Sequence, residues 1–208
     1  MIPPGTELNG RYRVIRLLGE GGMGAVYEAE HTIIARRVAV KVLHARFCQN
    51  AEALTRFTRE ARAAASIGHE NIVDVTDFGV HNEQPFLVME ILKGEALSER
   101  MAREANIPVA ESCAILGAVL SALASAHAIG VVHRDLKPEN IFLASTGART
   151  VVKILDFGVS KFRHRSAGDK LVTQEGAMFG TPNYMAPEQW LGERDVDHRA
   201  DLYAVGLI

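Results

Sequence analysis

His133-Arg-Asp-Leu-Lys-Pro-Glu-Asn140 sets a proton acceptor, a fixed cation and an amide oxygen within eight residues, directly after a long apolar run. Asp135 has the chemistry to accept a hydroxyl proton and orient the attacking oxygen. Lys137 can neutralise a transferred phosphoryl group, and Asn140 offers an uncharged oxygen to a hard metal ion. Pro138 stiffens the turn and removes one backbone donor. The plain alternative is a solvated surface loop, but such a loop has no reason to collect so mixed a set.

Downstream, the apolar run Val151-Val-Lys-Ile-Leu155 ends in Asp156-Phe-Gly158. A carboxylate at a strand end, followed by glycine, is a natural magnesium ligand, and Asn140 with Asp156 would supply the oxygens that Mg²⁺ needs beside phosphate. The tripeptide alone is weak, because Asp77-Phe-Gly79 repeats it. No loop like 133–140 precedes that copy, so it is expected to be a turn between strands.

Upstream, Lys41 lies inside Val38-Ala-Val-Lys41. An ammonium in an apolar strand must reach an anion, since unpaired burial is costly. A phosphate is one choice and Glu60 another; helical spacing puts Glu60 on one face with Phe57 and Ala64. The bland readings are a snorkelling edge lysine and a surface glutamate. Before them comes Gly19-Glu-Gly-Gly-Met-Gly24-Ala-Val26, where glycines allow a tight reversal and an approach of backbone N–H groups to phosphate. An ordinary hairpin turn is the alternative. A dinucleotide fold would need the glycines to open a helix, but Ala25-Val-Tyr-Glu-Ala29 continues as strand. No Gly-Lys-Ser/Thr follows, which excludes a P-loop.

The remaining chain organises around these sites. Residues 11–29 read as extended and broken at 19–24, with a further strand over 37–43. The Ala-, Glu- and Arg-rich 51–67 predicts a helix ending at Gly68. Residues 73–80 and 86–91 predict two strands joined through 81–85. Residues 108–129 predict a helix apolar over a wide arc and therefore buried. Two short strands flank 145–149, and a glycine-containing basic segment follows Gly158. The chain thus divides into a mainly strand lobe, 11–93, and a mainly helical lobe, 94–208, with the ligand site expected in the cleft between them.

Composition bounds the rest. The 208 residues are 48% hydrophobic and 23% charged, which fits packed globular units. A formal net charge of -2 gives no strong field for nucleic acid or anionic lipid. Cys48 and Cys113 are too few and too distant for a disulfide scaffold, so reduced thiols are expected. No stretch is expected to supply the roughly 20 apolar residues that span a bilayer. The apolar finish Tyr203-Ala-Val-Gly-Leu-Ile208 carries no capping residue, and reads as a cut through a domain.

In this order and spacing, Gly19/Gly21/Gly24, Lys41, Glu60, 133–140, 156–158 and Ala186-Pro-Glu188 resemble the protein kinase signature set over 12–208. Lys137 within the loop resembles the serine/threonine class, and Gly180 to Gln189 resembles the eukaryotic-type kinases of bacteria. The resemblance implies an α+β bilobal kinase-like fold, with an antiparallel N-lobe sheet, one main helix there, and an incomplete, mainly helical C-lobe. It implies a protein serine/threonine kinase using ATP and Mg²⁺ (or Mn²⁺). Leu18, Gly19, Gly21, Gly22 and Gly24 would cover the nucleotide, with Val26 and Ala39 above adenine and Phe142 below. Met89 would control entry behind adenine, and Glu90 to Leu92 would form the hinge. Lys41, braced by Glu60, would hold the phosphates. Asp135 would be the base, Lys137 the phosphoryl stabiliser, and Asn140 and Asp156 the metal ligands. Thr181 would fix Asp135, and Asp201 would pin the loop from a central helix.

Arg134 calls for an anion, and a phosphate on Thr173, or secondarily Ser166, would supply it. Partners implied are protein substrates with Ser/Thr acceptors and self-association for trans-autophosphorylation, with no nucleic acid. A cytoplasmic location is expected, the parent protein being membrane-anchored, if at all, beyond residue 208. A glutamate at 188 without its later arginine would leave the fragment weakly active. A pseudokinase would have lost the lysine, the base or a metal ligand, and none is lost. A small-molecule phosphotransferase would lack the segment from Gly180 to Glu188.

Overall fold

Alternation of small or branched side chains builds the first sheet. Val38, Val40 and Val42 turn to one face of β4 (Arg37–Leu43) and Ala39, Lys41 and Leu43 to the other, as a period of two demands. The computed structural model describes residues 1–104, 106–147, 149–157, 182–193 and 195–208. They divide into two units, Met1–Gly68 with Val73–Lys93, and His69–Ile72 with Gly94–Ile208.

In the first unit β1 (Glu7–Leu8), β2 (Tyr12–Glu20), β3 (Gly24–His31), β4, β5 (Val75–His81) and β6 (Gln84–Glu90) form one antiparallel sheet in the order β1-β2-β3-β4-β6-β5. One face is a core of Tyr12, Val14, Tyr27, Val40, Val42, Phe86 and Val88. Against the other lies α1 (Ala51–Ile67), which seats Phe57 and Ala61 on Leu43 and Leu87. Asn50 caps this helix by accepting from Ala53 N–H at 3.0 Å, and Gly68 ends it at φ 58°. Phe57 is fully buried, so its truncation to alanine would cost about 3–5 kcal/mol.

Asp77-Phe-Gly79 is strand, not turn. It lies inside β5, where exposure alternates along the strand. The reversal falls instead at Asn82-Glu83, both at positive φ (48° and 64°), as a primed two-residue hairpin requires. Gly79 answers a packing need, since a Cβ there would run into the Phe86 ring. Asp77 accepts the Tyr12 hydroxyl at 2.7 Å. Burial, with that hydrogen bond, pushes the Tyr12 phenol up to about 12.

The second unit holds a three-stranded antiparallel sheet, β7 (Gly94–Ala96), β8 (Ile141–Thr146) and β9 (Arg149–Ile154), in that order. With it are α2 (Leu97–Arg103), α3 (Val109–Ala128), α4 (Pro187–Leu191) and α5 (Arg199–Leu207). Residues 69–72 join this unit because β9 holds them: Asn71 O accepts from Ile154 N–H at 2.7 Å, and Asn71 Nδ2 donates to Val152 O at 2.8 Å.

Two expectations for α3 are corrected. It buries one stripe, Ile115, Val119, Ala122, Leu123 and Ala126, rather than a wide arc, and Leu120 stays 42% exposed. By length and composition it is also apolar enough to cross a bilayer, being 20 residues long with a mean hydropathy of 1.7 over an 18-residue window. Its stripe packs instead toward β9 and α5, and His127 in its last turn is hydrogen-bonded to Asp201 at 2.7 Å.

Candidate active site

The glycine loop separates two kinds of glycine. Gly24 is required by the sheet, because a Cβ there would collide with the Val42 carbonyl. Gly19 has nothing within 4 Å of where a Cβ would lie, and Gly21 only the Gly24 carbonyl at 3.7 Å. Packing does not explain those two, and their bare backbone is what a phosphate needs. Leu18 is the extra residue of a bulge, since Leu17 pairs with Tyr27 and Gly19 with Val26. Gly21 N–H donates to Gly24 O at 2.8 Å and closes the tip.

The segment between β4 and α1 holds that tip. His44 N–H donates to Met23 O at 2.9 Å, and His44 Nε2 lies 3.0 Å from Gly21 O. Arg46 donates to Gly22 O at 3.1 Å, its guanidinium 4.9 Å from the centre of the Phe47 ring. Neither residue was legible as a site residue.

Register places Val26 opposite Lys41, and Ala39 opposite Met89. Lys41 Nζ lies 3.8 Å from Glu60 Oε2, each side chain about one-seventh exposed. At that separation the pair is a loose ionic contact rather than a short hydrogen bond. Glu90 Oε1 accepts from Asp74 N–H at 2.9 Å, and Leu92 follows the end of β6.

In the second unit the loop at 133–140 is held by buried groups. Asp201, 1% exposed on α5, accepts His133 N–H at 2.8 Å and Arg134 N–H at 2.7 Å. His133, fully buried, reaches Leu155 O at 3.0 Å with Nε2, packs against the tilted ring of Phe157 with centroids 4.9 Å apart, and accepts Asp135 N–H at 3.3 Å on Nδ1. Arg134 (φ 63°) and Asp156 (φ 46°) take left-handed backbone that side chains disfavour, a strain that buried partners must sustain.

Lys137 Nζ lies 3.7 Å from Asp135 Oδ2. Asn140 Nδ2 donates to Asp135 O at 2.8 Å, which leaves Oδ1 as its acceptor toward a cation. Asn140 O accepts Leu155 N–H at 2.8 Å, so the Asn140 and Asp156 segments run side by side. Phe142 pairs with Ala96 and Lys153 in the small sheet.

A family model of the protein kinase domain matches residues 12–208. The chain belongs to the protein kinase family. The chain is 50% identical over 202 residues to the serine/threonine-protein kinase Pkn1 of Myxococcus xanthus, covering 96% of this chain and 28% of Pkn1. It is 41% identical over 209 residues to PknA of Mycobacterium tuberculosis, covering 98% of this chain and 47% of PknA. The chain therefore spans less than half the length of either relative. Among solved structures, the PknI kinase domain of Mycobacterium tuberculosis superposes with a TM-score of 0.78 at 34% identity, over 100% of this chain and 75% of that one. The antiparallel sheet with one main helix in the first unit agrees with that fold.

Thr181, Thr173 and Ser166 lie outside the described residues. Arg134, for which an anion was expected, donates to Val196 O at 3.0 Å, and its buried Nε has no hydrogen-bond partner among the described residues. One further residue escaped sequence reading. Gln189, 5% exposed, donates to Arg134 O at 2.9 Å.

Proposed function

We propose that the gene product carrying this chain is an ATP-dependent protein serine/threonine kinase that transfers the γ-phosphoryl group to Ser/Thr hydroxyls of protein substrates. The observation that supports this most is the pinned loop, in which Asp135, Lys137 and Asn140 are held within one short network fastened to Asp201. Asp135 receives the acceptor proton, Lys137 steadies the moving phosphoryl charge, and Lys41 with Glu60 orients the phosphates.

Asn140 and Asp156 suit Mg²⁺, or Mn²⁺ in its place, because both offer hard oxygen. Two protein ligands fit an ion that keeps waters and phosphate oxygens in its shell. When bound, the ion neutralises phosphate charge; everything else in the step falls to the residues named. The buried Nε of Arg134 supports the reading that a phosphate on Thr173 or Ser166, added by a second copy, orders the adjoining segment. We assign the catalytic region to the cytoplasm, where ATP is supplied.

The test is incubation of the full-length product with ATP labelled at the γ-position and magnesium. Label on serine or threonine of itself and of a protein substrate is expected; nucleotide binding without any transfer would overturn the kinase reading in favour of a binding module.

A further inference from the structure

Gln189 occupies the third position of α4, where its Oε1 accepts the N–H of Ala186 at 3.0 Å and closes the helix start. A glutamate would serve that purpose equally. What glutamate cannot do at neutral pH is donate, and the Gln189 Nε2 donates to Arg134 O at 2.9 Å. The residue type is thus decided by its second bond, not by the helix.

The acceptor of that bond is the carbonyl of the peptide unit joining Arg134 to Asp135. Its oxygen is held by Gln189 and its N–H by His133 Nδ1 at 3.3 Å. Arg134 N–H, one bond earlier, is held by Asp201. Rotation of this plane would swing the Cα–Cβ direction of Asp135, and the left-handed φ of Arg134 gives the chain a reason to rotate. Gln189 is 5% exposed and Arg134 partly so, and loss of the donor leaves the Arg134 carbonyl at this part-buried position without that bond.

We propose that Gln189 is a positioning residue for the Asp135 base, fixing the 134–135 peptide plane from the start of α4. The proposal rests on the kinase reading above. It joins the stretch ending at Ala186-Pro-Glu188, which the resemblance places beside the polypeptide acceptor, to the orientation of the base.

The experiment compares Gln189→Glu and Gln189→Met in the full-length product. Gln189→Glu keeps the acceptor for Ala186 N–H and removes the donor to Arg134 O. We expect it to lower kcat about tenfold at neutral pH with KM for ATP within twofold. The deficit should shrink as pH falls, because a buried carboxyl titrates above its ordinary range and regains a donor when protonated. Gln189→Met should show the same loss with no recovery at low pH. Amide exchange across 187–191 reports whether the helix survives. Amide exchange across 133–137, measured without nucleotide, should quicken in both variants.

Wild-type kcat in Gln189→Glu, or a deficit independent of pH, would overturn the proposal and leave Gln189 a helix cap. If the wild type transfers no phosphate, the kinase reading fails, and exchange across 133–137 still decides the positioning claim. Unchanged exchange in both variants refutes it. If Gln189→Glu does not fold, Gln189→Met decides by the same split between kcat and KM.

Discussion

The carboxylate of Asp201 accepts the main-chain N–H of Arg134 at 2.7 Å across a sequence separation of 67, together with the main-chain N–H of His133 and the ring Nε2–H of His127. One buried anion thereby fastens the end of α3 and the loop 133–140 to α5. An amide has one oxygen for these donors, so Asp201→Asn should destabilise the second unit by about 2–3 kcal/mol. Urea melts monitored by circular dichroism would measure it. A loss below about 0.5 kcal/mol would remove Asp201 from this role.

Lys41 and Glu60 sit 3.8 Å apart and partly screened, which makes the pair a positioning contact rather than a source of stability. Glu60→Gln should change unfolding free energy by less than about 1 kcal/mol, while weakening ATP binding several-fold. Lys41→Met should weaken it further. Calorimetric titration with magnesium and a non-hydrolysable ATP analogue provides the check; equal affinity in all three proteins would contradict the assignment.

The glycine tip is held through carbonyls of Gly21 and Gly22 by His44 and Arg46. Arg46→Ala combined with His44→Ala should accelerate amide exchange at 21–24 about fivefold, the two exposed hydrogen bonds contributing roughly 0.5 kcal/mol each. Exchange within β4 should not move. Equal exchange in the tip would mean that the contacts hold nothing.

Much of this arrangement was legible in residues because it is periodic or locally punctuated. Strand 37–43 alternates, and helix 51–67 runs from an Asn cap to a left-handed Gly68. The loop 133–140 declared itself because its chemistry is packed into contiguous sequence. What stayed hidden was either too short, such as β1, or started without a capping side chain, such as α2 at Ala96. Gln189, His44 and Arg46 also stayed hidden, because their partners are distant backbone carbonyls that no side-chain pattern records. Asp77-Phe-Gly79 misled for a related reason: its glycine serves the Phe86 ring, a neighbour across the sheet.

Tyr12 offers a pH test of the first unit. Its phenol titrates near 10 when unfolded and near 12 in the fold, through burial and the bond to Asp77. A raised folded value means this contribution is complete below about pH 10 and disappears as pH rises toward 12. Thermal melts should fall across that window, and Tyr12→Phe should flatten the part of the fall that belongs to this residue. An identical fall in the variant would contradict the assignment.

The central claim is that Asp135 serves the transfer step and not the binding of nucleotide. Asp135→Asn in the full-length product, assayed in parallel for ATP affinity and for γ-phosphoryl transfer to protein, tests it most directly. Affinity within about twofold of wild type and transfer reduced by about 10²–10⁴-fold are expected. Transfer at the wild-type rate with asparagine at this position would contradict it.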